Sequence, residues 1–278
     1  MGIQVINYLD LHKLKREWRS AEPFPHVIID DFMTDPFVIE HDFPDPTWAG
    51  WTSLGDSYQR NKFSCSTISS IPSSIASVLR CLNEPTFLSG IEIITGIGGL
   101  IPDPYFEGGG LHLSTGGGIL APHTDFHIYS RLNLYRRLNL IVYFNTGWSV
   151  GDGGELELLL PQHAKAERLI EPLLNRAVLF ETNDKSVHGF TNPVREGTSR
   201  RSLALYYYTS TETQQFSGDQ TTHWRSHGRI PATKKPRFWL YKALLRISRM
   251  FSIAAQAINP NQGIGLIKTR LRASRRQD

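Results

Sequence analysis

Residues 200–209 read RRSLALYYYT. Successive side chains of a strand point to opposite faces, so Arg200, Ser202, Ala204 and Tyr206 share one face and Arg201 lies on the other. Working outward, RAVLFET (176–182), ELELLL (155–160) after the turn GDGG (151–154), and RLNLIVYFN (137–145) repeat the pattern. Short β-branched and aromatic runs separated by Gly, Pro, Asn and Asp predict a mainly β sandwich or jelly roll. Upstream, EGGGLHLSTGGGILAPHTDF (107–126) is too interrupted by glycine for a helix and reads as strands joined by tight turns.

The flanks differ in period. FPHVIIDDFM (24–33) reads as a buried strand, followed by a helix that Thr34 or Asp35 caps. SSIASVLRCLNE (73–84) has helical apolar spacing at Ile75, Val78, Leu79 and Leu82 and is stopped by Pro85, with a second short helix within TFLSGIEIITG. Beyond residue 210 the sheet signal ends, and RFWLYKALLRISRMFSIAAQAI (237–258) reads as one helix. The expected organisation is one domain over 1–215, with helices before a jelly-roll core at about 90–210, and a basic extension over 216–278.

Two cysteines, Cys65 and Cys81, form neither a CxxC pair nor a disulfide framework, which fits a reducing cytoplasm. The N-terminus lacks a signal-peptide apolar core, and the sequence has no continuous apolar run long enough to span a membrane. The formal net charge of +4 conceals an asymmetry, because the last 54 residues carry thirteen Lys/Arg against one acid. The helix at 237–258 aligns Lys242, Arg246 and Arg249 beside Phe238, Trp239, Leu244, Leu245 and Phe251. Packing of its apolar face on the domain, peripheral contact with an anionic membrane, and nucleic-acid binding are the three readings; basic charge alone does not specify a polyanion.

APHTDFHIYS (121–130) sets His123, Asp125 and His127 on alternate positions. HxD alone is more often a hydrogen-bonded surface pair than a metal site. A jelly roll, however, brings distant strands to one mouth, and His188 in VHGFTNPV is the best third partner. Two histidines and one carboxylate form a facial triad with open coordination positions, the arrangement suited to non-haem Fe(II); no thiol stands nearby to close a structural zinc site. Twelve positions after His188, Arg200 opens its strand with Ser202 on the same face. A buried arginine needs an anion. The 2-oxoglutarate cosubstrate answers both demands, its keto acid chelating iron and its distal carboxylate pairing with Arg200 and Ser202.

On HTD (123–125), RLNLIVYFNTGW (137–148), GGELEL (153–158), VHGFTNPV (187–194) and RRSLALYYYT, the chain resembles the Fe(II)/2-oxoglutarate-dependent oxygenases, within them the prolyl 4-hydroxylase-like branch. PFPHVIIDDF (23–32) and GGGLH (108–112) bring it nearest to bacterial members, and together the motifs span about residues 20–210. The resemblance implies a double-stranded β-helix, a distorted jelly roll, with N-terminal flanking helices. It implies iron ligation by His123, Asp125 and His188, and binding of the distal carboxylate by Arg200, with Tyr143 as a further donor. The implied reaction consumes O2 and 2-oxoglutarate, releases succinate and CO2, and hydroxylates an unactivated C–H bond, with ascorbate as reductant. The substrate is a prolyl residue or another peptidyl or small-molecule compound. Retention of Asp125 favours hydroxylation over halogenation.

Two departures stand out. His127 occupies a position where that branch commonly has Asn, and Tyr206 one where many relatives have Trp. Alternation puts His127 on the ligand face, in a hydrogen-bonding, pocket or structural role; His112 reads similarly, as a pocket residue or a loop histidine pinned by glycines. A noncatalytic metal- or sugar-binding jelly roll is the alternative from another class, but it leaves Arg200 and Ser202 without a purpose.

Overall fold

The structure, a computed structural model, describes residues 5–56, 58–163, 165–211, 223–224 and 235–258. In chain order the elements are α1 (Leu11–Ser20), β1 (His26–Ile29), α2 (Pro36–His41), β2 (Thr52–Leu54), β3 (Gln59–Cys65), α3 (Ser73–Cys81), α4 (Pro85–Thr95) and β4 (Ile101–Pro102). There follow β5 (Gly110–Thr124), β6 (Ile128–Tyr129), β7 (Leu134–Tyr143), β8 (Leu156–Leu159), β9 (Arg168–Ile170), β10 (Ala177–Glu181), β11 (Val187–Phe190), β12 (Ser199–Thr209), β13 (His223–Trp224) and α5 (Lys235–Ala257).

The main path of the sheet runs β1-β10-β7-β12-β5-β11-β8-β9, and its paired strands are antiparallel. β5 belongs to both halves of that path: residues 110–115 pair with β12, and residues 120–123 pair with β11. This shared strand curls one sheet into two facing halves, which is the double-stranded β-helix expected from the sequence.

The glycine-dense zone is therefore one continuous strand rather than several strands joined by tight turns. The glycines make a corner. On β3, Arg60 faces Ile119 and Lys62 faces Ser114, so residues 115–118 of β5 bulge out of register. Gly117 has φ +73°, and a Cβ at Gly116 would come within 2.9 Å of the Glu196 backbone, so neither position admits a side chain without rearrangement.

Alternation on β12 divides the core. Leu203, Leu205 and Tyr207 pack with Leu140, Val142, Leu111 and Leu113 against α1, α3 and α4. Tyr143, Leu156, Leu158, Val178 and Phe180 form a second cluster inside the curl. Burying Leu203 and Leu205 stabilises the fold by about 1.5–3 kcal/mol each. A one-residue slip of β12 would expel both and drive Arg200 among the helices, so the apolar layer sets the register that aims the polar one.

The helices follow their local signals. Asp10 caps α1 by accepting from the Lys13 amide at 2.9 Å, and Leu14 and Trp18 form its buried stripe. Pro85 both ends the chain's freedom to extend α3 and opens α4 at its first turn. Asp35 stands at the N-cap of α2 without a side-chain capping bond. α1 carries a helical apolar spacing at Leu11, Leu14 and Trp18, whereas β2 and β3 are not legible as apolar-periodic segments; β3 carries Arg60, Asn61 and Lys62 in succession.

The chain divides into two compact units, Met1–Arg229 and Ile230–Asp278. Within the second, α5 places Leu240, Leu244, Ile247 and Phe251 within about 40° of one line at 100° per residue. All four are exposed, as is Trp239 at the flank of the stripe. The side chains of Phe238, Lys242, Leu245 and Arg249 lie outside the described residues. Among the described residues no helix is long and apolar enough to cross a membrane.

Candidate metal centre

The pairing of β5 with β11 sets His123 directly opposite His188, with ring centroids 4.4 Å apart. Asp125 lies two residues past His123, just beyond the strand end, and its carboxylate reaches between the imidazoles. Its Oδ1 is 3.7 Å from His123 Nε2 and its Oδ2 is 3.5 Å from His188 Nε2. One potential ligand atom from each residue lies within 4.8 Å of the others, and all three side chains are buried.

Each ring is pinned from behind. His123 Nδ1 lies 2.9 Å from the Ala121 carbonyl and His188 Nδ1 lies 3.1 Å from that of Ser186. With Nδ1–H donating there, both Nε2 lone pairs face the centre. Burial pushes the His123 pKa down to about 3 and lowers that of His188, so both rings are neutral, as ligation requires. For Asp125, burial acts to raise the pKa, but Arg136 and the two imidazoles outweigh it and hold the carboxyl well below the usual carboxylate range. Two neutral imidazoles and one carboxylate are donors suited to Fe(II).

Two residues that the sequence reading passed over hold Asp125. Asn139 Nδ2 donates to its Oδ2 at 2.7 Å, and Arg136 Nη2 lies 3.1 Å from the same oxygen. Arg136 Nε in turn donates to Asn139 Oδ1 at 2.9 Å. These side chains are three apart, which simple alternation assigns to opposite faces. The register shift on β12, where Tyr207 faces Leu138 and Tyr208 faces Arg136, skips Arg137 and turns Arg136 inward. The Arg136 guanidinium also lies 3.4 Å from the centre of the Tyr206 ring.

Arg200, Ser202 and Tyr143 come together beside the triad. β12 pairs Ser202 with Tyr143 of β7, and Arg200 Nη2 donates to the Tyr143 hydroxyl at 2.9 Å. Arg200 Nε donates to the Gly154 carbonyl at 2.7 Å, in the turn the sequence marks as GDGG. Gly154 has φ +75°, and a Cβ there would meet Arg200 Cδ at 2.9 Å, so the glycine gives the arginine its path. Arg200 is buried with no carboxylate in ion-pair reach among the described residues, and burial lowers its pKa. Arg201 points to the other face, 3.6 Å from Glu40 of α2.

His127 is not a third imidazole at the centre. The strand ends at Thr124, the alternation that would have carried His127 inward stops, and its Nδ1 lies 3.3 Å from Asp184. His112 does line the triad cavity, and its Nε2 lies 3.1 Å from the Gly108 carbonyl. Trp148 lies outside that cavity, its indole N–H donating to the Gly153 carbonyl at 3.1 Å.

Residues 109–208 match the 2OG-Fe(II) oxygenase superfamily. No curated protein sequence matches the chain. Among solved structures it is similar to a prolyl hydroxylase from Trichoplax adhaerens in complex with a hypoxia inducible factor peptide fragment, at 15% identity over 71% of this chain and 88% of that one, TM-score 0.48. A Pseudomonas putida prolyl-4-hydroxylase is similar at 15% identity over 72% and 98%, TM-score 0.46. HygX from Streptomyces hygroscopicus, with nickel and 2-oxoglutarate bound, is similar at 14% identity over 72% and 92%, TM-score 0.45.

Proposed function

We propose that this chain, whose residues 109–208 belong to the 2OG-Fe(II) oxygenase superfamily, is a hydroxylase in which His123, Asp125 and His188 hold Fe(II) and Arg200 holds 2-oxoglutarate. The observation that carries the reading is the pairing of a buried three-donor cluster with a buried arginine that has no carboxylate in ion-pair reach among the described residues, both lining one cavity. A noncatalytic metal-binding jelly roll needs the first but not the second.

Bound together, iron, O2 and 2-oxoglutarate supply the oxidation, in which the cosubstrate is cleaved to succinate and CO2 and one oxygen atom goes to a substrate C–H bond. The protein's part is positional. Asn139 and Arg136 occupy Asp125 Oδ2 and keep the carboxylate ionised, which leaves Oδ1 for the metal. The Ala121 and Ser186 carbonyls fix the imidazole tautomers. Arg200, tied to Gly154 and Tyr143, presents its remaining guanidinium hydrogens to the distal carboxylate, and Ser202 adds a hydroxyl. Leu156, Ile141 and Phe190 line the cavity with apolar surface that limits water.

The test is anaerobic titration with Fe(II) and 2-oxoglutarate, since a metal-to-ligand charge-transfer band requires both on one iron. His123→Ala and His188→Ala abolish the band and keep the far-UV circular dichroism spectrum, because the two neutral imidazoles serve the metal and neither holds a buried ion pair of the core, as Asp125 does with Arg136. A wild-type band in both variants refutes the assignment.

A second reading concerns α5, where the exposed stripe through Leu244 and Phe251 accompanies a strongly basic sequence. Apolar side chains with cationic charge fit the interface of an anionic bilayer. Full-length protein sediments with phosphatidylserine-containing vesicles at low salt, and the Leu244→Glu/Phe251→Glu variant does not. Equal sedimentation of the two, or binding indifferent to salt, refutes this.

A further inference from the structure

The cavity contains one cation that the iron and 2-oxoglutarate reading leaves unused. Lys62 sits on β3, paired with Ser114 of β5, which on its other side pairs with Arg200 of β12. Lys62, Ser114 and Arg200 thus form one row across three strands on the interior face, while Phe63 and Cys65 of β3 pack toward the helical layer. Lys62 lines the same cavity as His123, Asp125 and His188.

Its charge has no partner among the described residues. Among the described residues no carboxylate lies in ion-pair reach and no acceptor takes a hydrogen bond from its ammonium; Asp125 and Asp56 act on it only at longer range. His112, its neighbour across β5, is neutral, with a pKa pushed down to about 3 by burial and by Lys62 itself. Asp125 is already engaged by Arg136 and Asn139. Loading the site does not cure this. The two charges of the metal are met by Asp125 and the keto-acid carboxylate, and Arg200 by the distal carboxylate. Arg136 stays on Asp125 and the Tyr206 ring. Tyr143, which marks the distal-carboxylate pocket, lies on β7, and the strand order β3, β5, β12, β7 puts it at the opposite end of the row from Lys62. A half-buried ammonium that lines this cavity without a counter-ion among the described residues is costly, so the cavity is complete only when a further anion enters.

We infer that Lys62 recognises an anionic group, a carboxylate or a phosphate ester, on the primary substrate, and so restricts the hydroxylase to acidic substrates. The inference rests on the oxygenase reading and names the charge class that reading leaves open. Lys62 is a specificity residue: it meets a remote group of the substrate and leaves metal and cosubstrate to the residues already described.

The experiment uses the full chain saturated with Zn(II), a redox-inert stand-in for iron, and 2-oxoglutarate. The rate at which acetic anhydride, an uncharged reagent, acetylates Lys62 is followed by peptide mass spectrometry. Benzoate and phenyl phosphate serve as anionic probes at constant ionic strength, with benzamide as the neutral control. Zn(II) and 2-oxoglutarate leave the rate within about twofold, whereas either anion at ten times its dissociation constant slows it about tenfold and benzamide does not. The anion that protects better tells carboxylate from phosphate ester. Protection by 2-oxoglutarate alone assigns Lys62 to the cosubstrate and overturns the inference; absence of anion protection, or no acetylation in any state, overturns it too. Calorimetry of 2-oxoglutarate binding separates this from failure of the oxygenase reading. Lys62→Met retains wild-type cosubstrate affinity and loses anion binding, whereas a wild-type protein that binds no 2-oxoglutarate sinks the oxygenase reading and leaves the acetylation result standing.

Discussion

Two adjacent arginines offer a stringent test of the site. Arg200→Met removes a guanidinium that is already immobilised by the Gly154 carbonyl and the Tyr143 hydroxyl, so little ordering entropy is spent when the cosubstrate binds. The distal carboxylate then loses two charge-assisted hydrogen bonds worth about 1.5–3 kcal/mol each, and partial replacement by water brings the net loss to about 2–5 kcal/mol. In affinity that is about thirtyfold to several-thousandfold. Tyr143→Phe removes only a hydroxyl, about 1 kcal/mol or fivefold. Arg201→Met, on the opposite face beside Glu40, changes 2-oxoglutarate affinity by less than about twofold, as a half-exposed ion pair contributes little even to stability. Calorimetric titration of the Zn(II)-loaded proteins reads all three, and thermal melts of the metal-free variants check that the fold persists. A larger loss from Arg201→Met than from Arg200→Met would refute both the strand register and the assignment of the cosubstrate pocket.

Asn139→Leu removes the donor that fixes Asp125 and lowers metal affinity about 10–100-fold, measured by competition with a chelator, while the secondary structure is unchanged. Gly154→Ala places a Cβ 2.9 Å from Arg200 Cδ at a positive φ; 2-oxoglutarate affinity falls about tenfold or more without any change of charge, and an unchanged affinity would show that Arg200 is not guided by this turn. For pH, the folded His123 pKa of about 3 lies below its ordinary value of about 6.5, so the unfolded chain binds the extra proton between them. Stability of the metal-free protein is therefore full above pH 6.5 and falls by about 1.4 kcal/mol per unit below it from this residue alone, with His188 acting in the same direction. Urea midpoints between pH 7.5 and 5 measure it, and a midpoint that stays level down to pH 5 contradicts burial of neutral imidazoles.

The strands of the curl were legible because each carries an alternation that burial enforces: in RRSLALYYYT the leucines must leave water on one side, which delivers Arg200 and Ser202 to the other. His123 and Asp125 were legible for a similar reason, being two apart at a strand end. The pairing of His123 with His188 depends on topology, which β5 and β11 realise as a direct cross-strand contact. Three features were decided only in the tertiary structure. The glycine zone became one bent strand because its outer half pairs with β12 and its inner half with β11, a choice made by partners far along the chain. Arg136 joined Asn139 on Asp125 because a bulge against β12 reverses the face of everything before it, and no local period records a bulge. Lys62 entered the cavity from a polar strand with no hydrophobic pattern of its own, held there by backbone pairing with β5. Periodicity reports which side chains must leave water; where polar side chains go is settled by backbone hydrogen bonds between segments, and those leave no mark on either segment alone.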